Sequence, residues 1–298
     1  MALEGDTHSV GIRNDSMEGA PSGFCEYPDN RPSALPLTSE RATMTMMRTT
    51  FLSILFLSFA AHSEDVHSLL REGDQCYLRL QTVEALRNYT EADSLAPGKS
   101  ETLIRLARAY SDIGWLDWQN GKSAESYYVR SVAIADTLVQ LYPNLAAAHF
   151  WCALTTGSLI PFRSTSDKIH IGKIVRFQAE KAIELDSTFS YAYIILAIFE
   201  RELAKLSWFE RTIARIVFGE DLHGSFARSE ELLYKALKYD STSSYAFFEL
   251  SLTYDAMGRK EESIAALNKV IDLPVSSQRE ERQRQNAETL RAHLLSSR

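Results

Sequence analysis

From residue 66 onward, the apolar residues of the chain recur at steps of three and four positions, with frequent alanine and without the alternation of a β-strand. This spacing places apolar side chains on one side of an α-helix. The pattern continues through the rest of the chain and predicts an all-α fold over residues 64–298.

The sequence repeats itself within this helical region. Residues 181–193 (KAIELDSTFSYAY) return 54 positions later as residues 235–247 (KALKYDSTSSYAF), and a weaker copy begins at Lys269, 34 positions further on. A period of 34 residues is typical of tetratricopeptide (TPR) repeats, in which each repeat is a pair of antiparallel helices. The longer spacing is that period with an insertion of about 20 residues.

Five such repeats follow one another, beginning at or near residues 66, 100, 146, 190 and 244. Each places small residues where two helices approach closely and larger apolar residues where the remaining space is filled. A polar helix over residues 277–295 would close the array. The sequence therefore predicts a right-handed α-solenoid of about five TPR-like helix pairs, with insertions and a C-terminal capping helix.

The first 63 residues follow a different pattern. Arg48 precedes an apolar run at residues 51–61, and small residues lie before a possible cleavage point after Ser63. A basic start, a short apolar run and small residues at the cleavage point are typical of a signal peptide, and the run is too short to span a bilayer. We therefore expect a signal peptide at residues 46–63, no transmembrane anchor, and an exported protein, periplasmic or secreted. Residues 1–45 would be a mis-assigned or disordered extension.

Composition excludes several function classes. A net charge of −7 argues against a nucleic-acid partner, because phosphate binding requires clustered positive charge. The cysteines at 25, 76 and 152 are too far apart for a disulfide scaffold or a paired metal site. Gly-Lys-Ser occurs at residues 98–100 and 121–123, but the glycine that a phosphate-binding loop requires five positions earlier is missing. We expect no cofactor, no metal site, no catalytic residues and no enzymatic activity.

Several segments resemble the regulator of microtubule dynamics family, whose members are TPR-like proteins of animals with bacterial relatives. The residues that carry the resemblance are 104–110 (IRLARAY), 148–154 (AHFWCAL), 205–211 (KLSWFER) and 218–219 (FG), and it extends over roughly residues 66–295. It implies an interaction protein without enzymatic activity. Animal members are linked with microtubules and, in one branch, with membrane contacts and phospholipid binding.

Positions 5 and 9 of each first helix should face the concave side of the solenoid. Eight of these ten residues are apolar: Leu70, Ile104, Phe150, Leu154, Ile194, Ile198, Phe248 and Leu252, with Asp74 and Arg108 as the polar pair. Peptide-binding grooves are normally more polar. Three interpretations remain open: an acyl or other apolar ligand, an apolar partner helix, or a groove filled by the chain's own segment 206–217 or its terminal helix.

Two further segments are candidates for contact with other molecules. Segment 206–217 has the spacing of an amphipathic helix, which is either a structural brace or an element that dips into a membrane. The stretch from Pro161 to Arg176, interpreted as a loop, carries Arg163, Lys168, Lys173 and Arg176, which could bind an anionic group.

These observations favour a non-enzymatic TPR scaffold or adaptor that binds an unknown protein or helical peptide outside the cytoplasm. The alternative is a carrier that holds a phospholipid, a fatty acyl chain or another apolar small molecule in the concave groove.

Overall fold

The computed structural model describes residues 64–207, 211–212, 215–216 and 224–296. Within these residues, every regular element is helical and the elements follow one another as antiparallel pairs. The helices are α1 (64–78), α2 (Thr82–Leu95), α3 (Ser100–Gln119), α4 (Glu125–Leu141), α5 (Ala146–Gly157), α6 (Thr165–Leu185), α7 (Ser190–Lys205), α8 (Phe226–Tyr239), α9 (Ser244–Ala256), α10 (Lys260–Asp272) and α11 (Gln278–Ser296). The predicted all-α solenoid of five helix pairs with a C-terminal helix is confirmed.

The repeated sequence forms the same turn twice. Asp186 ends α6, and its Oδ1 accepts hydrogen bonds from the backbone N–H of Thr188 at 2.9 Å and from its hydroxyl at 2.7 Å. Asp240 ends α8 and accepts the equivalent bonds from Thr242 at 3.1 and 3.0 Å. Such side-chain bonds to the backbone fix a turn locally. The Asp-Ser-Thr motif therefore sets the connection from the second helix of one pair to the first helix of the next.

Close approach within a pair depends on small residues, as the repeat pattern predicts. Ala107, Ala153 and Ala197 occupy equivalent positions of α3, α5 and α7 and are fully buried. Serine takes this role elsewhere: the Ser131 hydroxyl in α4 donates to the Ala107 carbonyl at 2.7 Å, and that of Ser263 in α10 donates to the Ser251 carbonyl at 3.0 Å. The helices of a pair are thus joined by packing and by buried hydrogen bonds.

The stretch from Pro161 to Arg176 is not a single loop. After a short 3₁₀ turn at Ile160–Phe162, α6 begins at Thr165, so Lys168, Lys173 and Arg176 are helical. The Ser164 hydroxyl caps this helix by accepting a hydrogen bond from the Asp167 N–H at 3.3 Å. A serine followed three residues later by an acidic residue is a helix-start signal, so the interpretation of the whole stretch as a loop was wrong from Thr165 onward.

Some expectations fall outside the described residues. These are the extension at residues 1–45, the signal peptide at 46–63 and half of the amphipathic segment 206–217. Among the helices of the described part, none combines the length and apolar character needed to cross a bilayer.

Candidate functional site

The first helices of successive pairs form one layer, because α3 contacts α5, α5 contacts α7, and α7 contacts α9. Helix α11 packs on α10 and also contacts both α9 and α3, the first helices of the fifth and second pairs. It therefore lies across this layer and joins parts of the chain that are not neighbours in the array. We call the first-helix residues grouped around Asp112 the inner recess: Tyr77, Arg108, Asp112, Trp115, Tyr191 and Tyr245.

Asp112 is the centre of the inner recess. Its side chain is 5% exposed, and its two oxygens have different partners. The Tyr77 hydroxyl donates to Oδ2 at 2.6 Å, and Nη1 of Arg279, from the first turn of α11, donates to Oδ1 at 3.1 Å. Burial and the adjacent carboxylate raise the pKa of Tyr77, which keeps its hydroxyl protonated as a donor.

The guanidinium of Arg279 is enclosed by aromatic rings as well as by Asp112. Its central carbon lies 4.9 Å from the ring centroid of Trp115 and 5.7 Å from that of Tyr245. Burial lowers the pKa of Arg279, but the carboxylate of Asp112 together with Tyr245 and Tyr128 raises it more, so the pKa lies above its ordinary value and the group stays charged. We call Asp112, Trp115 and Tyr245 the arginine cage.

A second buried ion pair lies on the same layer. Arg201 of α7 contacts Oε2 of Glu249 in α9 at 2.7 Å and also donates to the Glu249 backbone carbonyl at 3.1 Å. The two side chains are 5% and 9% exposed. Removing one partner would leave a buried charge without compensation, so this pair fixes the relative position of α7 and α9.

Tyr191 is the accessible part of the inner recess. Its side chain is 42% exposed, yet burial, together with the carboxylates of Asp240 and Glu280, raises the pKa of its hydroxyl. Its ring centroid lies 5.5 Å from that of Phe150 and 6.2 Å from that of Phe189, so protein covers part of the ring. Its exposed ring and protonated hydroxyl could contact a bound molecule by packing and by hydrogen bonding.

The apolar residues predicted to line the groove pack inside the protein. Leu70, Phe150 and Ile194 are 3%, 5% and 0% exposed. Four more of the predicted groove residues are partly buried and pack against the apolar core: Ile104, Leu154, Ile198 and Phe248. Leu252 on α9 is also partly buried. In this arrangement these side chains fill the space between neighbouring helices and present little apolar area to a ligand.

Arg108 is the predicted concave residue that does reach the inner recess. Its guanidinium carbon lies 4.0 Å from the ring centroid of Tyr77, and its Nη2 lies 3.7 Å from Oδ1 of Asp74. The tyrosines at position 2 of the fourth and fifth repeats were missed, although the repeated Ser-Tyr-Ala sequence contained them. No local signal pointed to the pairing of Asp112 with Arg279.

The four cationic candidates do not form one unpaired cluster. Arg163 forms an ion pair with Glu125 of α4, and Arg176 pairs with Glu180 of its own helix at 3.0 Å. Lys168 lies in the exposed first turn of α6, while Lys173 is half-buried further along it. Carboxylates therefore neutralise the charges of Arg163 and Arg176 locally.

A surface pocket of about 620 Å³ lies beside the first helix pair. Asp74 contributes to its wall and accepts hydrogen bonds from Arg105 at 2.8–3.1 Å and from the Tyr89 hydroxyl at 2.8 Å. Burial raises the pKa of Asp74, but these bonds lower it more, so it lies below its ordinary value. The wall contains both arginines and carboxylates: Arg71 and Arg105, and Glu64, Asp74 and Glu101.

The cysteines and acidic residues of the described part do not suggest a metal site. No group of three or more histidine, cysteine, aspartate or glutamate side chains in these residues could hold an ion. Cys152 is 3% exposed, and burial raises the pKa of its thiol to about 11. It packs as a small side chain in the core, and its thiol donates a weak hydrogen bond to Oδ1 of Asp136 at 3.7 Å.

Comparison with known proteins agrees with this architecture. The family model described as "Regulator of microtubule dynamics protein 1-3" matches residues 69–295. The chain belongs to this family. The match begins within α1 and extends through the other four helix pairs to residue 295 of α11, so the inner recess lies entirely within the family region.

Curated members of the regulator of microtubule dynamics family are moderately similar. The chain is 27% identical over 224 residues to Regulator of microtubule dynamics protein 3 of Rattus norvegicus, covering 71% of this chain and 45% of that protein. It is 24% identical over 237 residues to protein 1 of Bos taurus, covering 78% and 73%. The chain thus spans less than half the length of the rat relative and about three quarters of the bovine one.

A solved structure supports the fold of this family member independently. A TPR protein from Thermus thermophilus superposes with a TM-score of 0.54 at 16% identity, covering 77% of this chain and 98% of that chain. At this identity the comparison establishes the TPR fold and nothing about the ligand.

Proposed function

We propose that the chain is a non-enzymatic scaffold that binds a protein or helical peptide on its layer of first helices. The TPR fold and the family membership support an interaction role. The observation that carries the proposal is α11 itself, because a helix already lies across this layer and contacts both α3 and α9. A surface that packs against one helix has the shape and hydrogen-bonding groups to bind another.

The chemistry of the inner recess also favours binding over catalysis. The pKa values of Tyr77, Tyr191 and Tyr245 are raised, first of all by burial, so their hydroxyls stay protonated at neutral pH. Asp112 and Arg279 neutralise each other at 3.1 Å. Protonated hydroxyls and paired charges position a partner through hydrogen bonds rather than supply a base or nucleophile.

The cellular setting is part of the proposal. The signal-peptide pattern at residues 46–63 supports export, with a mature chain that begins at Glu64. N-terminal sequencing of the protein recovered from a periplasmic or culture fraction tests this. A mature form that retains residues before 44 would contradict it.

Photo-crosslinking tests the proposed binding surface. A photoreactive phenylalanine analogue replaces Tyr191 in the inner recess or, as the control, Phe177, which is 62% exposed on the second-helix layer. We expect a discrete protein adduct from position 191 and none from position 177. Equal labelling from both positions, or adducts from position 177 alone, would contradict the proposed surface.

Native mass spectrometry of the full chain, purified without detergent, separates the scaffold from the lipid carrier. A bare protein mass is expected for a scaffold whose apolar inner positions are packed. A bound mass in the phospholipid or fatty-acid range, released on denaturation, would favour the carrier instead.

A further inference from the structure

The two halves of α11 are held in different ways. Ala287, Leu290 and Leu294, in the second half, join an apolar cluster with α9 and α10. The first half reaches α3 through polar groups: Arg282 donates to the Gln119 carbonyl at 3.3 Å, and the Asn286 amide donates to the Gln119 side chain at 3.3 Å. Packing thus fixes the second half, whereas the first half depends on hydrogen bonds and charge.

Arg279 is the most deeply placed of these polar contacts. Its side chain is 19% exposed and reaches Asp112, which is 5% exposed and is also bound by Tyr77. The cage offers a guanidinium a carboxylate oxygen on one side and the rings of Trp115 and Tyr245 on the others. Guanidinium is suited to this environment, because it is planar, permanently charged and weakly hydrated.

The cage requires a cation. Asp112 is too deeply buried to be left without one, because an unpaired buried carboxylate is strongly destabilising. By contrast, the hydrogen bonds of the first half of α11 can be exchanged for equivalent bonds with small net change in free energy. Another helix that brings its own arginine could therefore replace residues 278–286 while Asp112 stays paired.

We propose that the arginine cage is a recognition site for an arginine in a helical segment of a partner protein, and that Arg279 occupies this site in the unbound chain. This inference rests on the proposed scaffold function and specifies the partner: a helix with an arginine in its first turn and polar residues one turn later, as in α11. The second half of α11 stays packed on α9 and α10 during the exchange.

The test uses the full chain and a fluorescently labelled peptide of residues 276–296 as the stand-in for the partner helix. In the wild-type chain, Arg279 competes from within the molecule at an effective concentration of about 1 mM, so micromolar peptide binds weakly. Arg279→Ala empties the cage, and we expect the peptide to bind this variant about tenfold tighter or better by fluorescence anisotropy. Adding Asp112→Asn to this variant removes the negative charge of the cage, and the tenfold increase in peptide affinity should then disappear.

Matched controls isolate the arginine. Arg284→Ala removes another arginine of α11, one that pairs with Glu281 of the same helix at 2.6 Å. This variant should bind the peptide as weakly as the wild-type chain does. A peptide carrying its own Arg279→Ala change should bind the emptied chain no better than it binds wild type. If Arg279→Ala impairs folding, as judged by circular dichroism, Arg279→Lys serves instead and should give a smaller gain.

Equal binding of the two peptides to the emptied chain would overturn the inference. This result is distinguishable from failure of the scaffold function. Peptide binding without any cross-linked protein at position 191 would contradict the scaffold and leave the cage intact. A cross-linked protein without arginine-dependent peptide binding would support the scaffold and reject the cage.

Discussion

Replacing Gly73 by alanine should destabilise the first helix pair. Gly73 lies inside α1, and a Cβ at this position would lie 2.4 Å from Cε1 and 2.7 Å from Cδ1 of Tyr89. Carbon atoms normally pack at about 3.5–4.0 Å, so the overlap exceeds about 1 Å at the nearer atom. The ring cannot move aside easily, because Tyr89 is fully buried and its hydroxyl donates to Asp74 at 2.8 Å.

The expected magnitude follows from two opposing effects. Overpacking a buried site costs about 1–3 kcal/mol, and the severe overlap here points to the upper end. Alanine is favoured over glycine within a helix by about 1 kcal/mol or less. We therefore expect Gly73→Ala to lower the free energy of unfolding by about 2 kcal/mol, which corresponds to a fall in melting temperature of about 4–8 °C for a domain of this size.

Chemical denaturation and thermal melts monitored by circular dichroism measure both quantities. Gly157→Ala is the matched control, because its Cβ would lie 3.4 Å from Cγ2 of Val175, an ordinary contact distance. This control should be neutral or slightly stabilising. If Gly73→Ala proved as stable as wild type, the ring of Tyr89 would have moved aside at no cost in free energy, and the steric argument would be wrong.

Three further predictions address other parts of the molecule. Ser164→Ala should lower stability by about 1 kcal/mol in denaturant titrations through loss of the α6 cap, whereas Ser166→Ala in the exposed first turn should not; equal effects would contradict the capping role. The lowered pKa of Asp74 stabilises the fold above its unfolded pKa, near 3.8, and this contribution is lost as the pH falls through the lower folded pKa. Asp74→Asn should therefore flatten that part of the curve of stability against pH, and an unchanged curve would refute the assignment. Because burial raises the pKa of Cys152 from 9.0 to about 11, its thiolate fraction at pH 8 falls about a hundredfold. Iodoacetamide should modify Cys76 well before Cys152, a difference that denaturation removes.

The repeat architecture was predictable because its causes are local. The Asp-Ser-Thr turns form their hydrogen bonds two residues apart, and the small residues of each first helix pack against the next helix along the chain. These signals located the helix pairs and the C-terminal helix. The spacing of Ser164 and Asp167 is a local signal of the same kind, and it marks the start of α6.

The inner recess was not predictable in the same way. Helical periodicity indicates which positions lie on one face, but it does not say whether an apolar face meets a ligand or a neighbouring helix. Ile194 lies at such a position, and neighbouring helices bury it completely. The contact between Asp112 and Arg279 joins residues 167 positions apart, and no short-range pattern in a single sequence encodes it.

That long-range contact changes how the array should respond to stress. In an open solenoid each repeat touches only its neighbours, so stability is a sum of nearest-neighbour terms and the ends fray first. Here the last helix is tied to the second repeat, so loss of the C-terminal end also removes contacts near the N-terminal end. Unfolding of α11 is therefore coupled to the stability of the second repeat, and repeats two to five should unfold more cooperatively than nearest-neighbour contacts alone would allow.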